Sequence, residues 1–80
     1  MPLHDIVSPL PGTFYRRASP DAAPYVEVGA SIGSGAVVGL VEVMKQFNDV
    51  EASAAGRVVE ILVDDGEPVD AGQVLMRLEG

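Results

Sequence analysis

The sequence predicts an all-β fold, a flattened barrel or sandwich, and three observations carry that expectation. No stretch of useful length repeats its apolar residues with a helical period. Short runs rich in Val, Ile and Leu instead alternate with clusters of Gly, Pro, Asp and Ser, the punctuation of strands and turns. The third observation is an internal repeat. Gly29-Ala30-Ser31-Ile32 with Gly35-Ala36-Val37 lines up on Gly66-Glu67-Pro68-Val69 with Gly72-Gln73-Val74 at an offset of 37, and Ser8 to Gly12 on Ala52 to Gly56 at an offset of 44. Two copies of one four-strand unit, related by a pseudo-two-fold, would place the first and last strands together at one end. A central hairpin would sit at the other.

In chain order, Met1 to Asp5 reads as a frayed start or short edge segment, with the first apolar strand beginning at Ile6-Val7. The lone His4 there is better explained as solvent-exposed filler than as a ligand. Pro9-Leu10-Pro11-Gly12 is a turn or extended link, because each proline removes a ladder donor. Thr13-Phe14-Tyr15 is a second short strand, and its two aromatics are expected to pack. Arg16 to Pro24 loses apolar periodicity and carries Ser19-Pro20-Asp21. Its Arg16 and Arg17 are either contacts for a partner carboxylate or solvated loop charges. Tyr25 to Val28 resumes strand-like alternation, Gly29 closes it, and Ile32-Gly33-Ser34-Gly35 turns again. Gly33, Gly35 and Gly39 do not make a dinucleotide site, since the spacing is wrong and no βαβ unit follows. The run from Val37 to Val43 and the segment to Ser53 form the central hairpin, residues 37–53. Arg57 to Val63 is the longest strand candidate, and Asp64-Asp65-Gly66-Glu67-Pro68 is an acidic turn without the spacing of a calcium loop. Val69 to Gly72 turns again and Val74 to Leu78 is the last strand. Val41, Val43, Val50, Val59, Ile61, Val63 and Val74 are expected in the core.

Composition bounds the function. Eighty residues make one small domain, residues 1–80, whose core must be aliphatic, with two Phe, two Tyr and no Trp. Without cysteine there is no disulfide framework and no thiolate metal site. A net charge of −7 disfavours nucleic acid as a partner, because phosphates need a basic face. No apolar run is long enough to span a membrane and no signal segment is visible, which makes the cytoplasm the default location.

One point breaks a local rule. The hairpin turns at Met44-Lys45, where both central residues must take φ > 0 and Asn-Gly or Asp-Gly would be cheaper. Lys45 is also the only lysine of the chain. A lone primary amine at a sharp tip, behind an exposed methionine, reads as an attachment point. A surface lysine that merely ends a strand is the plainer alternative.

Around this point the chain resembles the biotinyl domains of biotin-dependent carboxylases, on the string Glu42-Val43-Met44-Lys45-Gln46, followed by Phe47-Asn48. The resemblance extends over nearly the whole chain, including Ser8-Pro9-Leu10-Pro11-Gly12-Thr13-Phe14-Tyr15 and Ser19-Pro20-Asp21. It is strongest to the biotin carboxyl carrier proteins of bacterial acetyl-CoA carboxylases, because the repeat offsets differ by seven residues. That difference places an insertion at about 16–24, and those carriers have a protruding thumb beside the biotin at this place. Two departures are visible. Gln46 replaces the family's second methionine, and Arg17-Ala18 stands where Thr-Pro is common.

The resemblance implies two four-stranded antiparallel sheets and a non-catalytic carrier. Lys45 is implied to hold covalent biotin, and Met44, Val43, Glu42 and Gln46 to form the surface around it. Met44 offers a flexible apolar contact, and Glu42 on the shoulder of the turn is a candidate for orienting partners. The implied partners are a biotin protein ligase, a biotin carboxylase subunit and carboxyltransferase subunits, with carboxybiotin delivered from one active site to the next. Carriers for another acyl-CoA or a small-amide carboxylase are the near alternative. A lipoyl carrier of an oxo-acid dehydrogenase or glycine cleavage system is the more distant one, and the methionine before Lys45 argues against it. An unmodified β-sandwich interaction module is the blandest. Larger carriers of the family have an N-terminal extension and an Ala/Pro-rich linker that these residues lack. Movement between active sites is therefore expected to rest on diffusion or a weak docking surface.

Overall fold

The computed structural model describes residues 2–80, and every regular element in them is a strand. The strands are β1 (Leu3–Val7), β2 (Gly12–Tyr15), β3 (Ser31–Ile32), β4 (Val37–Val43), β5 (Gln46–Glu51), β6 (Gly56–Ile61), β7 (Glu67–Val69) and β8 (Val74–Glu79). They form two four-stranded antiparallel sheets, in the orders β1-β8-β6-β3 and β5-β4-β2-β7. Replacing each strand by its repeat counterpart (β1 by β5, β8 by β4, β6 by β2, β3 by β7) turns the first order into the second. The repeat read from sequence is thus the two-fold of the fold.

The symmetry reaches single residues. Gly29 and Gly66 have φ of 97° and 84°, and Gly35 and Gly72 have 86° and 82°. Each pair is separated by the 37-residue offset, and each glycine sits at a left-handed turn that a side chain would resist. Backbone bonds repeat as well: Gly29 N–H donates to Val58 O and Gly66 N–H to Phe14 O, both at 2.7 Å. β-Bulges fall on Val38 in β4 and Leu75 in β8, one repeat apart. A bulge inserts one unpaired residue and shifts the alternation. This is why Leu75 and Met76 are consecutive and both fully buried.

The core lies between the sheets. One sheet contributes Ile6, Val58, Met76 and Leu78, and the other contributes Phe14, Val41, Val50 and Val69. Full burial of such a side chain stabilises by roughly 1.5–3 kcal/mol. Gly39 is needed where Phe14 crosses β4, since a Cβ there would lie 2.5 Å from the ring.

Several sequence expectations shift. β1 already begins at Leu3 and pairs with β8 from Leu3↔Glu79 onward, so the segment before Ile6 is ladder. Met1, expected to fray, lies outside the described residues. Tyr25 to Val28 forms no strand, because its backbone bonds do not run on as a ladder: Tyr25 N–H donates to Arg16 O, and the next bond to a neighbouring strand is Gly29 N–H to Val58 O. Its Val26 is nevertheless buried, as is its repeat counterpart Val63, beyond the end of β6. The turn expected over Ile32 to Gly35 starts later, since Ile32 closes β3. Glu67 and Pro68, expected in a turn, belong to β7, an edge strand where proline's missing N–H is harmless. Val43, Val59, Ile61 and Val74 are only partly buried. Val59 is itself a bulge residue, unpaired between Val58↔Leu78 and Glu60↔Arg77, which hands the inward position to Val58. The longest strand is β4, with seven residues.

Candidate functional site

The hairpin β4–β5 pairs from Val37↔Glu51 up to Val43↔Gln46, leaving Met44 and Lys45 as the two turn residues. Their φ angles are 51° and 67°, and they are the non-glycine residues with positive φ among those described. This conformation costs on the order of 1–2 kcal/mol per residue. The ladder below offsets it, and the signs match the turn type whose twist suits a two-residue hairpin. The tip is therefore held sharp, with Met44 91% exposed and Lys45 exposed beside it.

Strand alternation gives the hairpin two different sides. On one side Val43, Met44, Gln46 and Asn48, with Leu10 across, border an open hollow. Val43 is half-buried and Gln46 exposed. The Asn48 side-chain amide donates to Val41 O at 3.3 Å, bracing β4 against β5. On the other side Glu42 pairs with Phe47, and β2 brings Tyr15 alongside. Tyr15 Oη donates to Glu42 Oε1 at 3.1 Å. Its ring lies 6.1 Å from that of Phe47 at an interplanar angle of 54°, within the range of a favourable tilted pair. The hydrogen bond to the Glu42 carboxylate raises the Tyr15 pKa, with desolvation and the charges of Glu42 and Asp65 acting in the same direction.

The segment between β2 and β3 folds over this second side. Its base is closed by Arg16, whose backbone N–H donates to Asp65 Oδ1 at 2.7 Å and whose Nη2 donates to Val26 O at 3.0 Å. Arg16 O in turn accepts from Tyr25 N–H at 2.8 Å. Beyond that clamp, Arg17, Ala18, Ser19 and Pro20 face Tyr15, Phe47 and Asp65 across a groove of about 250 Å³.

The five residues singled out in the sequence are thus together at one end of the molecule. Lys45 and Met44 form the tip, Glu42 one shoulder, and Val43 with Gln46 the other. Sequence reasoning missed Tyr15 and Phe47 as a pair and placed Tyr15 among packing residues. A signal was present, since adjacent strand residues face opposite ways and Phe14 already had the better claim to the core. The chemistry available is that of a fixed, accessible primary amine next to a small aromatic-walled groove. Among the described residues no group of three or more His, Cys, Asp or Glu could hold a metal ion. Among the described residues no helix is long and apolar enough to cross a membrane.

Comparison with known proteins gives a consistent picture. The family model described as "Biotin-requiring enzyme" matches residues 4–78. The chain is 48% identical over 77 residues to the biotin carboxyl carrier protein of acetyl-CoA carboxylase from Nostoc sp., covering 96% of this chain and 42% of that protein. It is 46% identical over 71 residues to the protein of the same name from Pseudomonas aeruginosa, covering 89% and 46%. The chain thus spans less than half the length of these curated relatives. Among solved structures, urea carboxylase of Kluyveromyces lactis superposes with a TM-score of 0.79 at 25% identity, covering 99% of this chain and 6% of that one. A single-chain, multi-domain long-chain acyl-CoA carboxylase gives 0.78 at 27%, covering 94% and 7%.

Proposed function

The chain belongs to the biotin-requiring enzyme family, and from that premise we propose that it is the biotin-bearing domain of a biotin carboxyl carrier protein of an acetyl-CoA carboxylase. The observation that carries this reading is Lys45 itself, the only lysine, exposed at a turn whose two residues both have positive φ. The identity of 46–48% to acetyl-CoA carboxylase carriers, against 25–27% to carboxylases of urea and long-chain acyl-CoA, favours acetyl-CoA over other acceptors.

In this role the ε-amine of Lys45 forms an amide with activated biotin on a ligase, and the activating group and a proton leave. Acylation removes the lysine charge, so the product is a neutral tether on a rigid tip. Bound biotin supplies a ureido nitrogen that accepts and releases a carboxyl group. The chain's own residues do no bond-making on the acyl-CoA. They present and orient, so that the benefit is proximity to a biotin carboxylase and then to a carboxyltransferase. Met44 is the apolar contact for these enzymes, and Glu42, fixed by Tyr15, is the oriented carboxylate beside it. The segment from Arg17 to Pro24 acts as a thumb. Its groove is about 250 Å³, walled by Tyr15 and Phe47. That size and lining suit a small bicyclic ring, and Phe47 is two residues from Lys45, roughly 7 Å along the strand. A cytoplasmic setting, where ATP and bicarbonate are at hand, fits the role.

The test is co-expression with a biotin protein ligase, followed by intact mass and streptavidin blotting. Wild-type protein is expected to gain one biotin and Lys45→Arg none. A band that persists in Lys45→Arg, or no modification of the wild type, would reject the proposal.

A further inference from the structure

Arg17 is the cation that the described structure leaves without a charge partner in a groove. The chain has five basic residues against twelve acidic ones. Arg57 pairs with Glu79, and Arg77 with Asp5 and Glu60. The Arg16 guanidinium also lacks a carboxylate partner, but it is turned to the base of the thumb and does not line the groove. At that base its Nη2 donates to Val26 O and its Nε is buried without a partner. Lys45 loses its charge when acylated. Arg17 donates only one long hydrogen bond, from Nη1 to Ala22 O at 3.4 Å, and no carboxylate among the described residues lies within 4.0 Å of it. It is half-buried and lines the groove beside Tyr15 and Phe47.

A half-buried guanidinium gives up part of its hydration, and burial beside aromatic walls lowers the local dielectric. Such a site stabilises an anion that arrives, and the planar fork of arginine matches a carboxylate in two-point fashion. The setting is otherwise hostile to anions. Asp65 lines the same groove, its Oδ1 engaged by the Arg16 backbone N–H, and Glu42 stands behind Tyr15. The groove is therefore selective: it favours a ligand that is apolar where it meets the two rings and negative where it meets Arg17.

Resting on the reading of Lys45 as the biotin attachment site, we infer that Arg17 recognises the carboxyl group carried by the ureido ring, so that the thumb groove seats the loaded form of the tether in preference to the unloaded form. Before loading, the ring is neutral and gains from the aromatic walls alone. After loading, the added negative charge meets the guanidinium. Decarboxylation would break the N–C bond, release CO₂ and leave the electron pair on the ureido nitrogen, which takes a proton from water. Pairing holds the negative charge on the carboxylate instead, so the seated form decarboxylates more slowly.

The experiment uses the ¹⁵N-labelled chain, biotinylated on Lys45 and verified by intact mass. It is then loaded with ¹³C-bicarbonate by a biotin carboxylase with ATP and magnesium and followed by NMR. The Arg17 Nε–H resonance is expected to move on loading and to stay near its starting position on biotinylation alone. In Arg17→Gln the lifetime of the labelled carboxyl signal is expected to fall about fivefold, the scale of one charge-assisted contact at a partly exposed site. Arg17→Lys, which keeps the charge without the fork, is expected to lie between. An Nε–H resonance unmoved by loading, or equal lifetimes in wild type and Arg17→Gln, would overturn the inference while leaving the attachment site intact. The resonance test needs no substitution, so a poorly folded variant cannot blunt it. Failure of Lys45 to gain the mass of biotin would overturn both readings.

Discussion

Phe14 and Tyr15 are neighbours in sequence with opposite surroundings, the first sealed between the sheets and the second outside on the hairpin shoulder. The Tyr15 hydroxyl donates to the Glu42 carboxylate, which resists formation of a phenolate beside it. The folded protein thus favours protonated tyrosine over the ordinary pKa of 10.0. The sign follows from linkage: this contribution to stability is present in full below the unfolded value and is lost as pH rises through the raised folded one. In a Tyr25→Phe background only Tyr15 remains to titrate. Its phenolate absorbance is expected above pH 10, and Glu42→Gln should bring it back down. Coincident curves for the two proteins would show that Glu42 does not govern Tyr15. Gln46 is the other instructive residue. Exposed on the opposite shoulder with Val43, Met44 and Leu10, it is a polar group in an otherwise largely apolar hollow. Gln46→Met is expected to raise the initial rate of biotinylation by a cognate ligase while changing stability by under about 0.5 kcal/mol. Equal rates would mean that the ligase does not read this side.

The segment proposed as a thumb and the β4–β5 hairpin differ in what the fold requires of them. The repeat closes the counterpart of the thumb directly, from Ile61 to Leu62, whereas the first copy travels from Arg17 to Pro24 between equivalent points. Arg16 and Tyr25 meet at the base through a 2.8 Å backbone hydrogen bond. Replacing residues 17–24 by a short glycine-containing turn therefore keeps the clamp and removes no residue of the main core. The shortened chain is expected to melt within about 1 kcal/mol of wild type, since loop-closure entropy changes slowly with length. It should still accept biotin and should lose turnover in a coupled carboxylase assay. Failure to fold would make the segment structural, and undiminished turnover would remove its proposed role.

The molecule as a whole is thin, 37 × 27 × 19 Å, so one layer of side chains between two sheets must hold it. Val38 and Leu75 occupy the paired bulges in that layer and are 1% and 0% exposed. Leu75→Ala removes most of a side chain where the bulge already interrupts the ladder. It is expected to cost about 2–5 kcal/mol, a large share of a small domain's stability, read as a drop in the urea midpoint with unchanged slope. A cost below about 1 kcal/mol would show that the bulge collapses to fill the gap. The Met44-Lys45 tip belongs to the other sheet from β8, so the loss should lower the melting temperature without altering the proposed biotinylation at temperatures where the domain remains folded.

Much of this was written locally. The turn residues, the alternation and the two offsets are properties of short stretches, and together they determined an all-β repeat with Lys45 at a sharp tip. The left-handed strain at Met44 and Lys45 was legible because the strand runs on both sides left no room for a longer loop. The partners across space were not legible. A bulge is one unpaired residue, and sequence does not mark which one, so Val59 was favoured over Val58 and the consecutive burial of Leu75 and Met76 went unseen. Tyr25 to Val28 has the alternation of a strand, yet a strand needs a continuous ladder, and after the single backbone bond from Tyr25 N–H to Arg16 O the next comes only at Gly29. The meeting of Tyr15, Glu42 and Phe47, and the groove that Arg17 closes over them, depend on the register of β2 against β4. That register is set by the packing of Phe14 over Gly39 and by the clamp at Arg16. Such long-range contacts are decided only when the chain closes on itself.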